Sequence, residues 1–71
     1  MIDFIIPCFN EEKRLKNSFS KLKKYFLDFK YDYKIYFIDD GSIDLTLPLL
    51  LEFKRNNLNL NIDILSYKKN M

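Results

Sequence analysis

Seventy-one residues are about half the usual size of one domain, so the chain is one domain at most, or a piece of one. With 48% hydrophobic and 17% aromatic residues against one glycine and two prolines, the composition excludes a disordered, collagen-like or linker-type chain. Twelve Lys+Arg against ten Asp+Glu give a net charge of +2, too small to argue for nucleic acid or an anionic membrane as a partner.

A chain this short buries only about 60% of the surface that its unfolded form exposes. Nothing covalent or metallic offsets that deficit, because Cys8 is the single cysteine and histidine is absent, which removes an internal disulfide, a zinc site and a Cys/His nucleophile pair. Unpaired cysteine usage fits a reducing, cytoplasmic setting. The opening Met-Ile-Asp-Phe-Ile-Ile-Pro has no basic stretch before its short apolar run, and the run from Leu45 to Leu51 is broken by Thr46 and Pro48. No membrane segment is therefore expected, and any membrane association would belong to a full-length form.

In chain order the elements read strand, helix, strand, helix, strand. Ile2 to Ile6 is a nearly continuous apolar run, expected to be a buried strand ending at Pro7, which has no N–H to give to a ladder. Asn10 offers a helix N-cap, and Glu11 and Glu12 put negative charge on the first turn. Leu15, Phe19, Leu22, Phe26 and Phe29 recur at steps of four and three, one apolar stripe flanked by lysines whose expected role is a solvated face. Tyr33 to Ile38 is β-branched and aromatic on both alternate faces apart from Lys34, as in a central parallel strand. Gly41 permits a sharp exit. Ser42, Asp44 and Thr46 are competent caps for a second helix to about Asn56, with Pro48 tolerable in its first turn. Its apolar positions are Leu47, Leu50 and Leu51, widened by Leu49 and Phe53. Leu58, Leu60, Ile62 and Ile64 alternate with Asn59, Asn61 and Asp63, the pattern of an edge strand buried on one side.

Strands alternating with helices predict an α/β fold: a βαβαβ unit with a parallel three-stranded sheet in the order 3-2-1. Right-handed crossovers then put both helices on one side. Ile35 and Phe37 point one way from the middle strand and Tyr36 and Ile38 the other, so one row lacks a covering layer. The fold is expected to be incomplete: residues 1–71 are the opening part of a larger domain, or the chain self-associates through its exposed sheet face or its free edge.

Ligands of open α/β sheets bind outside the carboxyl ends of the strands. Pro7-Cys8-Phe9-Asn10-Glu11 and Asp39-Asp40-Gly41-Ser42 both fall there. The Phe9 ring can stack on a flat heterocycle and the Asp40 carboxylate can accept hydrogen bonds from ring N–H or sugar hydroxyl groups, so together they suit a nucleoside. With one glycine there is no phosphate cradle of the G-x-G-x-x-G or P-loop kind. Asp39, Asp40 and Asp44 lack the spacing of a calcium loop. Asp39 reads as a structural turn residue, and Cys8 as a small filler rather than a nucleophile.

Ile5-Ile6-Pro7-Cys8-Phe9-Asn10-Glu11-Glu12, followed after an amphipathic helix by Tyr36-Phe37-Ile38-Asp39-Asp40-Gly41-Ser42-Ile43-Asp44, resembles the start of the family 2 glycosyltransferases. Members of that family commonly open with a P-x-Y-N-E loop and a D-D-G-S-x-D loop on a Rossmann-like GT-A domain. Glu11 to Leu15 is similar to the polyprenyl- or dolichyl-phosphate glucosyl- and mannosyltransferase branch.

The resemblance implies that Pro7, Phe9 and Glu11 line one side of a nucleotide pocket and Ile38 and Asp40 the other, with Asp40 contacting the base. Phe9 stands where the family usually has Tyr, which keeps stacking and loses the phenolic hydrogen bond. The donor implied is a UDP- or GDP-linked sugar, and the complete enzyme is expected to use a divalent cation, Mg or Mn. This chain is expected to hold no metal and no catalytic residue, because the family's metal-binding D-x-D and catalytic base are absent from it. The sequence from Tyr67 to Met71 resembles the approach to the family's next loop. Two rivals stand beside an inactive nucleotide-sugar-binding segment: a stand-alone nucleotide-binding module, and a degenerate fragment that pairs through its bare sheet face.

Overall fold

A computed structural model describes residues 1–67; the expected approach to a further loop lies, past Tyr67, outside the described residues. The elements are β1 (Ile2–Cys8), α1 (Glu12–Leu27), β2 (Tyr33–Asp40), α2 (Thr46–Asn56) and β3 (Ile62–Tyr67). The strands form one parallel sheet in the order β1-β2-β3. That is the expected 3-2-1 arrangement seen from its other edge, an α/β unit matching part of a GT-A, Rossmann-like domain.

The register decides which side chains share a face, since period-two alternation sends neighbours to opposite sides. Phe4, Ile6 and Cys8 of β1 align with Ile35, Phe37 and Asp39 of β2, and these with Ile62, Ile64 and Ser66 of β3. Both helices lie on this face. Leu15 and Phe26 of α1 and Leu50 and Phe53 of α2 join Ile35 and Phe37 in one buried core. Phe19 of α1 stacks on Phe53 of α2 with ring centroids 4.0 Å apart, and Phe37 meets both edge-on. A second aromatic group, Phe4, Phe26, Phe29 and Tyr33, closes the amino end of the sheet. The opposite face carries Ile5, Pro7, Tyr36, Ile38, Leu65 and Tyr67 and, among the described residues, no helix.

Four local expectations are corrected. β1 runs through Pro7 to Cys8. Ile2 donates its N–H to the Asp32 carbonyl at 2.9 Å, so the even-numbered residues of β1 donate toward β2. The missing N–H of Pro7 faces the free edge and costs the ladder nothing. Asn10 does not cap α1: it adopts φ 49°, a left-handed conformation that Asn tolerates better than most residues, and α1 starts at Glu12. The buried stripe of α2 is Thr46, Leu50 and Phe53, whereas Leu51 is exposed. Finally, Leu58 and Leu60 precede β3 rather than form it. The Leu60 N–H is taken by the Asn57 carbonyl at 2.9 Å in a turn, which leaves Leu58 at 84% exposure while Leu60 packs into the core.

Candidate functional site

The carboxyl ends of β1 and β2 lie side by side, with Cys8 opposite Asp39. The chain leaves β1 through Phe9 and the left-handed Asn10, and leaves β2 through Gly41 at φ 77°, where the absence of a Cβ matters. Five hydrogen bonds then join the two exits. Asn10 donates its N–H to Ser42 Oγ at 2.9 Å and accepts at Oδ1 from the Ile43 N–H at 2.9 Å. The Glu11 N–H donates to Thr46 Oγ1 at 2.8 Å. The Glu12 N–H donates to Asp44 Oδ2 at 3.3 Å, while Glu12 Oε1 accepts from the Leu45 N–H at 3.2 Å.

The first N–H groups of a helix have no partner within it. Here the two helices satisfy each other: Asp44 and Thr46, ahead of and within the first turn of α2, serve the start of α1, and Glu12 serves the start of α2. Asp44 also accepts from the N–H and the hydroxyl of Thr46. The Thr46 hydroxyl bond comes first, with the Thr46 and Glu12 N–H groups beside it, in holding the Asp44 carboxyl below the usual carboxylate range. Because these donors are engaged by side chains, neither N-terminus offers a ready cradle for a diphosphate.

Asp39 is buried, accepting from the Ser42 N–H at 3.2 Å and from the Ser66 hydroxyl at 3.4 Å, and it braces the turn. Burial pushes the Cys8 thiol up to about 11, with the Glu11 and Asp39 carboxylates adding to the effect; such a thiol is not a nucleophile at neutral pH.

Pro7 and Ile38 are cross-strand neighbours on the helix-free face, with Asp40 exposed on that same face at the end of β2, opposite Tyr67 of β3. Phe9 follows β1 directly and is 45% exposed. Glu11 sits at the start of α1, where its carboxylate meets Arg14 Nε at 3.4 Å. Pro7 and Glu11 line a cleft of about 390 Å³ between β1 and α1, together with Cys8, Leu15 and Phe37. Ile38 and Asp40 are not part of it. The sheet therefore brings Pro7 to Ile38 and, through the cleft, Pro7 to Glu11, while Glu11 and Asp40 are directed to different sides.

No group of three or more His, Cys, Asp or Glu side chains comes together among the described residues. Both oxygens of Asp39 are committed to the turn and Asp44 to the helix starts, so this donor set does not fit a divalent ion. No helix of the described residues is long and apolar enough to cross a membrane.

Comparison with known proteins gives a single direction. Residues 3–70 match the family model described as glycosyl transferase family 2. The chain is 49% identical over 47 residues to the "Putative glycosyltransferase CsbB" of Bacillus subtilis, covering 66% of this chain and 14% of that one. It is 34% identical over 65 residues to the "Uncharacterized glycosyltransferase sll0501" of Synechocystis, covering 92% and 20%. To the dolichyl-phosphate beta-glucosyltransferase of Dictyostelium discoideum it is 32% identical over 74 aligned positions, covering 97% and 23%. The chain thus spans between 14% and 23% of the length of these relatives. No solved structure matches it.

Proposed function

The chain belongs to glycosyl transferase family 2, and from that premise we propose that it forms the nucleotide-recognising opening part of an enzyme that passes a sugar from a nucleoside diphosphate sugar to an acceptor. Pro7 and Phe9 form one wall of the nucleotide site and Ile38 and Asp40 the other, with Phe9 stacking on the base and Asp40 accepting hydrogen bonds from it, while Glu11, turned toward Arg14 and the β1–α1 cleft, supports the first wall from behind. The donor is a UDP- or GDP-linked sugar. A lipid phosphate is a candidate acceptor of the whole enzyme, in line with the similarity to a protein named dolichyl-phosphate beta-glucosyltransferase.

One observation carries this proposal: the exits of β1 and β2 are bonded to each other at a single rim of a parallel sheet, the place where open α/β sheets take ligands. The side chains present supply recognition rather than chemistry. A divalent ion paired with the departing diphosphate, as expected for the whole enzyme, needs ligands that the described residues do not bring together. The isolated chain is accordingly expected to bind nucleotide and transfer nothing.

Titration calorimetry of the 71-residue chain with UDP and with GDP tests this. One of the two nucleotides is expected to give a saturable heat, and Asp40→Ala to weaken it roughly tenfold or more, as the loss of a hydrogen bond to a charged group implies. No heat at millimolar concentrations of either nucleotide refutes the proposal, as does unchanged affinity in Asp40→Ala.

A further inference from the structure

We propose that Tyr67 is a base-contacting residue of the nucleotide site: together with Phe9 it forms an aromatic clamp that holds the base with one edge on Asp40. The inference rests on the nucleotide reading above and adds a third strand to it. Tyr67 ends β3 as the cross-strand partner of Asp40. Continuing the β1–β2 register one residue past Cys8 and Asp39 sets Phe9 beside Asp40 on its other flank. The rim of the sheet therefore reads Phe9, Asp40, Tyr67 across three strands. Alternation along β3 turns Ser66 to the helix side, where its hydroxyl donates to Asp39 Oδ2 at 3.4 Å, and so turns Tyr67 to the helix-free side with Asp40. Behind this row, on the same face, Pro7, Ile38 and Leu65 lie side by side as an apolar floor.

The width of the row suits a flat ligand. Neighbouring strands lie about 4.8 Å apart, so the two positions flanking Asp40 are about 10 Å from each other. Aromatic rings in contact have centroids about 4.5–7 Å apart, so two rings with a base between them span roughly 9–14 Å. Both side chains are open to a ligand, Phe9 at 45% and Tyr67 at 55% exposure. Asp40 between them is exposed, and among the described residues no hydrogen bond or ion pair engages its carboxylate. Phe9 alone would leave one face of the base in water. A second ring covers that face and lowers the local dielectric around the hydrogen bonds that Asp40 accepts, which strengthens them. Stacking is tolerant of base identity because every base has a π-face; the clamp supplies affinity and leaves the choice of base to the edge that meets Asp40.

Titration calorimetry of the wild type, Tyr67→Ala and Tyr67→Phe with UDP and with GDP tests the clamp. Tyr67→Ala is expected to weaken binding roughly tenfold, the contribution of one base–aromatic stack. Tyr67→Phe keeps the ring and is expected to bind within about twofold of the wild type. Nuclear magnetic resonance of the wild-type complex keeps the test independent of any variant's folding: Overhauser effects are expected between the base protons and the Tyr67 ring protons, with the base protons shifted upfield by the rings. A saturable wild-type heat that Tyr67→Ala leaves unchanged overturns the clamp while the nucleotide site stands. An equal loss in Tyr67→Phe assigns the effect to the hydroxyl and overturns it as well, as does a wild-type complex in which the base protons show no contact with Tyr67. A wild type that gives no heat with either nucleotide refutes the site itself, and the clamp with it.

Discussion

Replacing Thr46 by Val tests whether the mutual capping of the two helices holds the rim together. The substitution keeps volume, β-branching and a fully buried position, and deletes one hydroxyl. That hydroxyl accepts from the Glu11 N–H at 2.8 Å and donates to Asp44. Leaving a partly buried N–H unpaired costs about 1–3 kcal/mol, and a hydrogen bond to a charged group contributes about 1.5–3 kcal/mol. The two losses share one atom, so an overall destabilisation of about 2–3 kcal/mol is expected rather than their full sum. For a chain of this size, whose total stability is on the order of 4–10 kcal/mol, that is a large fraction. Urea unfolding at one fixed protein concentration, with a slope near 1 kcal/mol/M, should show the midpoint falling by about 2 M or more with the slope unchanged. Ser42→Ala, which removes the exposed bond from the Asn10 N–H, serves as the control and should cost about 0.5–1 kcal/mol. A Thr46→Val variant no less stable than Ser42→Ala refutes the capping account.

Two further outcomes concern protons. The Asp44 carboxyl is held below its ordinary range when folded, chiefly by the Thr46 hydroxyl. Its contribution is complete above the unfolded value, about 3.9, and is lost as pH falls through the lower folded value; Asp44→Asn should therefore flatten the acid limb of the urea midpoint against pH, and a superimposable limb refutes this. With Cys8 raised to about 11 by burial and by Glu11 and Asp39, its labelling by a disulfide reagent at pH 8 should be ~100-fold or more slower than that of a free thiol until the chain unfolds; native-state labelling at the free rate refutes it.

The order of elements and their shared core side were legible because periodicity carries that information: Leu15, Phe19, Leu22 and Phe26 repeat as a helix stripe, and Ile35 and Phe37 alternate with Tyr36 and Ile38. The placement of both candidate loops at one rim followed from parallel topology alone. What the sequence concealed was the destination of polar side chains. Asn10, Asp44 and Thr46 read as caps for the helix that each precedes or begins, because a cap's usual partner is two or three residues away. In the fold their cross-loop partners lie 32 to 35 residues distant. Leu58 and Leu60 were misread for a related reason: a turn closed by the Asn57 carbonyl preserves the alternation of a strand while making no ladder. Glu11 could be placed at the rim, but its side chain's departure toward Arg14 and the β1–α1 cleft depends on helix geometry that no local pattern encodes.

Pro7 has a consequence for what can pair along the outer margin of β1. Along the outer margin of β1 the donors alternate, so an incoming strand would find N–H groups at Asp3 and Ile5 and none at Pro7, and it would have to settle alongside the acidic Asp3 as well. Lateral addition, the route by which small sheets grow into endless ribbons and amyloid-type fibres, is thereby penalised at that margin.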